Sequence, residues 1–450
     1  MKATRAIIIS DLHLGGAAPR MMSCPRLLAD FLEALPAGLA ADEALELVIA
    51  GDFVDFLAMD PFESWTADPA AACRKLADTM GQKSPFAPVF DALARLAAGG
   101  HRLTVLIGNH DVEMGLPPVQ HALLERIGAC PHQVMFIADG RAHRIGRALI
   151  EHGNRYDEAN RNDWGGLRAI ASALSRGEIP VSELRPSAGS VLVERIVSPL
   201  KAKYPFIDLL QPQGELVALL LGAFEPQLKW NLPQVSRVLH AQYLAERNDQ
   251  GRPPARLRYV ASSVFDEPDA ELTVAFAEEY DTLRTPDRSI AVGEWIGLAF
   301  PRDGDGLWAI FERGGQVPPA RLYKIRVAMR KLLLGDDSAR EDGPTQQYGA
   351  AADRMRNGSP GQIDVVVMGH THLARHIGPA DRASYINTGT WADVVRVPPA
   401  TLADGADREL EGFLRDLKED ARPPPAPTYA DLRVDADGAV SRARLMPAGK

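Results

Sequence analysis

Four short apolar runs in this chain end the same way, and that shared ending constrains the fold more than any other feature. Ile7-Ile8-Ile9 runs into Ser10-Asp11-Leu12-His13, and Leu47-Val48-Ile49-Ala50 runs into Gly51-Asp52-Phe53-Val54-Asp55. Thr104-Val105-Leu106-Ile107 runs into Gly108-Asn109-His110-Asp111, and Val365-Val366-Val367-Met368 into Gly369-His370-Thr371-His372. Continuous β-branched runs of this length suit strands buried on both faces of a parallel sheet, where polar groups collect at the carboxyl ends. A core strand has no packing reason to finish by presenting an amide, an imidazole and a carboxylate together. A later run, Arg147 to Ile150, also delivers a histidine beside a glycine, in Glu151-His152-Gly153.

The stretches between these runs set the fold class. A helix is expected over Pro25 to Leu35, with Leu27, Leu28, Phe31, Leu32 and Leu35 on one face. Asp68-Pro69 reads as a helix start, and Phe86 to Ala98 has helical spacing stopped by Gly99-Gly100. This β-α-β-α-β order predicts an α/β sheet with covered faces. Val134 to Ala138 and Arg147 to His152 predict antiparallel or mixed strands of a second sheet.

A compositionally different block follows. Helices are expected at Gly166 to Arg176, Ser187 to Lys203, Leu216 to Leu221, Leu232 to Glu246, Ala270 to Tyr280 and Arg321 to Leu334. Pro180, Pro205, Pro212, Pro226, Pro233, Pro253 and Pro254 punctuate the block, and polar Gly335 to Gly361 reads as a mobile loop. The expected organisation is a core in two parts, 1–155 and 362–450, separated by a mostly helical insertion at 156–361. The second part ends in a hairpin, Tyr429 to Val434 and Val440 to Leu445.

Composition limits the partners. With 50 basic against 59 acidic residues the net charge is −9, so there is no global electrostatic footprint for nucleic acid. No apolar run reaches the ~18 residues needed to span a bilayer, and Leu216 to Phe224 is ended by Glu225-Pro226. Cys24, Cys73 and Cys130 lack C-x-x-C spacing and read as reduced thiols. A strand begins within six residues of the N-terminus without the pattern of a secretory signal, so a cytoplasmic protein is expected.

The polar endings share a chemistry. In Asp11-x-His13 and His370-x-His372 the paired groups stand two residues apart, on one face if extended, and a turn at the strand end can aim both at one point. Glycines before Asp52, Asn109 and His370 allow a sharp bend and keep bulk away. Asp, His and Asn without a thiolate suit Mn, Fe, Zn or Ni better than a structural zinc. There are more ligands than one ion needs, and one shared carboxylate would let them serve two.

These five motifs, in this order, resemble the calcineurin-like metallophosphoesterase superfamily over about residues 5–155 and 362–400. The resemblance implies a two-sheet α/β sandwich (α-β-β-α) flanked by helices. It implies that Asp11, His13 and His372 hold one divalent ion, that Asn109, His152 and His370 hold a second, and that Asp52 bridges the two. It further implies that His110 is a catalytic contact to substrate or leaving group, oriented by Asp55. The activity implied is hydrolysis of a phosphate mono- or diester in a small phosphorylated substrate, by attack of hydroxide shared between the ions. UDP-2,3-diacylglucosamine pyrophosphatases resemble the chain at Ser10 to Leu14, His152-Gly153 and Gly369 to His372, but usually carry Arg where this sequence has His110. A second reading, of a different class, is a metal-binding scaffold with little turnover; such a protein would typically have lost a ligand or the histidine of Gly108-Asn109-His110, and this chain has lost neither.

Some residues near the motifs have two readings. Arg155, Tyr156, Asp157 and Asn160 either line the substrate pocket or make a salt-bridged entry to the insertion. Asn387 and Thr390 are candidate supports for the ligands, and Asp111 is expected to cap the segment after it. His101, His121, His132, His143, His240 and His376 have no partner spacing and read as structural. Lys324, Arg326, Arg330 and Lys331 make either a solvated helix face or a peripheral membrane contact.

Overall fold

The structure, a computed structural model, describes residues 2–16, 18–40, 43–211, 215–224, 305–335, 346–358 and 362–449. Its strands are β1 (Thr4–Ile9), β2 (Ala44–Ala50), β3 (Arg102–Leu106), β4 (Val134–Ile137), β5 (His143–Ile145), β6 (Ala148–Ile150) and β7 (Leu210–Gln211). Then come β8 (Val365–Met368), β9 (Arg375–Ile377), β10 (Tyr385–Asn387), β11 (Val395–Arg396), β12 (Thr428–Val434) and β13 (Val440–Pro447). One sheet has the order β13-β12-β1-β2-β3-β4 and a second the order β5-β6-β8-β10-β9. β1 to β4 pair in parallel, as do β6, β8 and β10.

The period-two pattern of the strands sorts the side chains into layers. Ala6, Ile8, Val48 and Ala50 of the first sheet pack with Ala148, Ile150, Val365 and Val367 of the second. Ile7, Ile9, Leu47 and Ile49 point the other way, into a core shared with Leu28, Leu32, Leu76, Phe90 and Leu123. Those partners lie on helices α1 (Pro25–Ala34), α2 (Pro69–Met80), α3 (Ala87–Ala98) and α4 (Pro117–Ile127). On the far side, Val366 and Met368 pack under Tyr348, Ala351 and Ala352 of the helix Gln346–Gly358. The result is an α/β sandwich of two sheets between helices. Local signals act as expected: Pro25 begins α1, and the Asp68 carboxylate caps α2 by accepting from the Ala70 N–H at 2.9 Å.

Two expectations are corrected. Val134–Ile137 is not part of the second sheet but the edge strand of the first, parallel to β3. The reason is α4, a crossover helix that returns the chain in the same direction, whereas a short turn would have given an antiparallel pair. Gln346–Gly358 is a helix rather than loop, because Tyr348, Ala351, Ala352 and Met355 recur at helical spacing and cover the second sheet despite the polar composition around them. Leu232 to Glu246, Ala270 to Tyr280 and His240 lie outside the described residues.

The chain divides into two compact units. The first comprises Met1–Ser198, Pro344–Val394 and Pro424–Lys450 and contains both large sheets. The second comprises Pro199–Gly343 and Val395–Pro423. Among its described residues, Phe206, Phe224 and Phe311 stack in sequence, and Arg321 donates to the Ala223 carbonyl at 2.9 Å. Arg326 pairs there with Asp407, and β7 pairs with β11. Cys24, Cys73 and Cys130 are free thiols. No helix among the described residues is long and apolar enough to cross a membrane.

Candidate metal centre

Parallel pairing puts the carboxyl ends of β1, β2 and β3 along one edge of the first sheet, and those of β6 and β8 together in the second. All nine residues singled out in the sequence are delivered from these five ends. Asp11 and His13 follow β1, Asp52 and Asp55 follow β2, Asn109 and His110 follow β3, His152 follows β6, and His370 and His372 follow β8. The turns remain bonded to one another past the strands. The Asp11, Leu12 and His13 N–H groups donate to the carbonyls of Gly51 and Asp52 at 2.9–3.1 Å, and the Gly369 N–H donates to the His152 carbonyl at 2.9 Å.

The backbone is unusual where it carries these groups. Asp11, His13, Asp52, His370 and His372 all have positive φ, between 45° and 70°, and only Asp420 joins them among the described non-glycine residues. Left-handed backbone costs an L residue roughly 1–2 kcal/mol, so five instances in one cluster mark a geometry that the surroundings enforce. Glycine is required beside them for a different reason. A Cβ at Gly108 would collide with the Asp52 carboxylate, and one at Gly369 with Ser10 and Asp11.

The side chains converge in three groups: Asp11, His13 and His372; Asp52, His152 and His370; and His13, Asp55 and His110. Within the first, His372 Nε2 lies 3.3 Å from Asp11 Oδ1 and 3.0 Å from His13 Nε2. Asp52 joins the groups: its Oδ1 accepts from the His110 N–H at 2.9 Å, while Oδ2 lies 3.2 Å from His152 Nε2 and 3.9 Å from His13 Nε2. Asn109 Oδ1 is 3.3 Å from the same His152 nitrogen. His110 Nδ1 is 3.1 Å from Asp55 Oδ1, and the other oxygen of Asp55 is 3.5 Å from His13 Nδ1.

Residues 4–180 match the family model for calcineurin-like phosphoesterases. The chain carries a calcineurin-like phosphoesterase domain. No curated protein and no solved structure matches the chain. The match supports a metal-dependent phosphoesterase, and the clustered His and Asp groups, of which His370 and His372 lie beyond the matched residues, could hold metal.

The donor set of this phosphoesterase domain fits a cation. His152 Nδ1 donates to the Ala50 carbonyl at 2.8 Å, which aims Nε2 at Asp52 Oδ2 and Asn109 Oδ1. One ring nitrogen and two oxygens then face one another in a site at most 4% exposed. Positive charge at Nε2, whether a proton or a metal ion, reconciles that arrangement. Burial opposes a proton on His152, yet the Asp52 charge, its hydrogen bond and Asp11 lift the pKa to about 10. Asp52 is held well below the carboxylate range, burial being outweighed by His152 and His110. His110 is likewise raised, to about 9, since Asp55 and Asp52 overcome its burial. Asp55 is correspondingly lowered, its burial outweighed by His110.

Supporting residues show how much was hidden. Ser10 Oγ donates to Asp11 Oδ2 and lies 2.6 Å from Thr388 Oγ1. Thr390 Oγ1 donates to the Asp11 carbonyl at 2.9 Å, and Asn387 Nδ2 to the Gly369 carbonyl at 2.7 Å, so both flank the ligand turns as expected. Asp111 does not cap the turn Val112–Gly115 that follows it. Its carboxylate accepts instead from the N–H groups of Phe53 at 2.7 Å and Gly108 at 2.6 Å, tying the turns after β2 and β3 together. Burial and the neighbouring Asp52 charge raise its pKa to about 7. Asp157 Oδ2 lies 3.0 Å from His370 Nε2, a contact that sequence spacing alone could not locate.

Proposed function

We propose that this protein is a dinuclear-metal phosphohydrolase that cleaves a phosphate mono- or diester in a small phosphorylated substrate. The observation that carries the reading is Asp52, one carboxylate oxygen of which faces ligands of both groups, His152 at 3.2 Å and His13 at 3.9 Å. In this reading Asp11, His13 and His372 hold one ion, Asn109, His152 and His370 the other, and Asp52 serves both. Mn, Fe, Zn and Ni all suit the Asp, His and Asn donors. When bound, two such ions supply Lewis acidity and an activated water for in-line displacement at phosphorus.

The chain's own residues supply the rest. His110, with 18% of its side chain exposed against 3% for Asp55, is the open end of a buried dyad. Asp55 fixes the ring through Nδ1 and stabilises its charge, so His110 carries a proton at neutral pH and can give it to a leaving oxygen. The ring stands edge-on to His13, 4.7 Å between centroids, which keeps this donor beside the first ligand group. We assign substrate selection to 156–361, the stretch between the last two sets of ligands.

The test is metal analysis of the purified chain together with a panel of nucleotides, sugar phosphates, lipid pyrophosphates and aryl phosphodiesters, each run with Mn, Zn, Ni, Co and Mg. Two equivalents of metal and turnover of a mono- or diester are expected. Two equivalents with no turnover of any panel member would overturn the enzymatic reading in favour of a metal-binding scaffold. Exclusive turnover of a lipid pyrophosphate would replace it with the diacylglucosamine pyrophosphatase type.

A further inference from the structure

The segment immediately after His152, Asn154 to Asn162, is rich in amides and turns back toward the ligands through two short 3-10 turns, Asn154–Tyr156 and Glu158–Asn160. We propose that Asp157 and Asn160 are positioning residues that select which atom of His370 and which end of the Asn109 amide are offered to the second ion. The proposal rests on the dinuclear reading above.

Hydrogen-bond chemistry leaves little freedom in this arrangement. A carboxylate only accepts, so the 3.0 Å contact of Asp157 Oδ2 with His370 Nε2 requires the proton on Nε2 and leaves the His370 lone pair on Nδ1. Asn109 Nδ2 donates to Asn160 Oδ1 at 3.4 Å, which turns Asn109 Oδ1 toward His152. The orientation of Asn160 is fixed in turn, because its Nδ2 donates to Asp157 Oδ2 at 2.7 Å. One carboxylate oxygen and one amide therefore tie together ligands from two different sheets.

The segment that carries them is anchored independently. Asp157 Oδ1 accepts from the Ala159 N–H at 3.0 Å, Asn154 Nδ2 donates to the Asn160 carbonyl at 2.9 Å, and Asn162 Nδ2 donates to the Gly108 carbonyl at 2.7 Å. Gly189 packs so closely that a Cβ there would collide with Asn160 Oδ1. The ligand contacts of Asp157 and Asn160, with His370 and Asn109, fall on the second-ion side. The first-ion side is held by Ser10, Asp55 and Thr390 instead. The expected effect of losing the pair is therefore one-sided.

The experiment is stepwise Mn loading of the full chain, followed by metal analysis and by EPR, in which two neighbouring Mn ions give a spin-coupled signal. Asp157→Ala and Asn160→Ala should weaken the second ion by ~10–100-fold and leave the first at parent affinity. At Mn levels that saturate the parent they should show an uncoupled one-ion spectrum. Asp157→Asn, which keeps an oxygen for His370, should recover most of the second-ion affinity. His152→Ala separates the two levels of the proposal. If it retains both ions at parent affinity, the dinuclear reading fails. If it loses one ion while Asp157→Ala and Asn160→Ala load both normally, the positioning role alone is wrong. Equal weakening of both ions, with a lower Tm of the metal-free protein, would also reject that role, since it would mark a general structural contribution.

Discussion

Two buried clusters of histidine and carboxylate sit within the same pair of sheets, and they solve opposite problems. Between the sheets, Glu46 of β2 accepts from His143 Nε2 of β5 at 2.6 Å and from Thr104 Oγ1 of β3 at 2.9 Å. Every contact there pairs a donor with an acceptor, the residues lie within ordinary strands, and none has left-handed backbone. At the strand ends, by contrast, the single nitrogen His152 Nε2 faces two acceptor oxygens, Asp52 Oδ2 and Asn109 Oδ1, and Asp52 stands on left-handed backbone. Burial and residue type are alike in the two places. What separates the structural cluster from the candidate metal centre is the balance of donors and acceptors: two donors serve one Glu46 oxygen, whereas two oxygens share one His152 nitrogen.

That contrast is testable, and the largest effect should come from Asp52. Asp52→Ala should lower kcat/KM by ~10³-fold or more, equivalent to ~4 kcal/mol of transition-state stabilisation, with metal content measured alongside falling below one ion. Glu46→Ala should do the reverse. Leaving His143 buried without its partner should cost ~3–5 kcal/mol in denaturant unfolding, while metal content stays at the parent level. If Glu46→Ala strips metal, or Asp52→Ala leaves both ions bound, the distinction collapses.

His110→Ala is next in size. A rate loss of ~10²–10⁴-fold is expected with both ions retained, because the role proposed for His110 is on the substrate rather than on metal. An unchanged kcat/KM on an activated aryl phosphodiester would remove it from the reaction. Chelation follows: stripping the ions should lower the thermal midpoint, since a ligand present at 100 times its Kd stabilises by ~2.7 kcal/mol per site. The unfolding cost of Glu46→Ala should be the same before and after chelation.

Acid should produce the smallest change. The Glu46 carboxyl is held below its ordinary value of 4.5, its burial being outweighed by His143, Thr104 and Arg102. A carboxyl depressed in the folded state contributes stability above its unfolded pKa and loses it as pH falls through the folded one. Unfolding free energy should therefore drop below about pH 4.5, by at most ~1.4 kcal/mol for each unit that the pKa is depressed. Glu46→Gln should flatten that part of the profile, and a profile identical to the parent's would show that Glu46 does not contribute to it.

The candidate ligands at the strand ends were legible because each motif is local. A β-branched run followed by Gly-Asp or Gly-Asn-His needs no knowledge of the rest of the chain, and five of them in order name the centre. What depends on long-range contact was harder to read. Val134–Ile137 reads locally as a strand of either sheet, and only α4, by returning the chain parallel to β3, fixes it in the first. Asp111 resembles a cap in sequence, but its acceptors are used by Phe53 and Gly108, one of them 58 residues away. Asp157 stands 213 residues from His370, and only the folded chain shows that they meet. Its one local signal is the density of Asn and Asp directly after a ligand.

The left-handed ligand residues have a consequence for anyone who would move this centre to another protein. Copying nine side chains onto the edge of a different parallel sheet would place the right atoms on the wrong vectors, because Asp11, His13, Asp52, His370 and His372 owe their aim to φ values of 45–70°. The transferable unit is the set of strand-to-turn crossings, with Gly51, Gly108 and Gly369 kept bare so that the neighbouring turns can close. A graft should accordingly be scored first on backbone torsions and only afterwards on ligand identity.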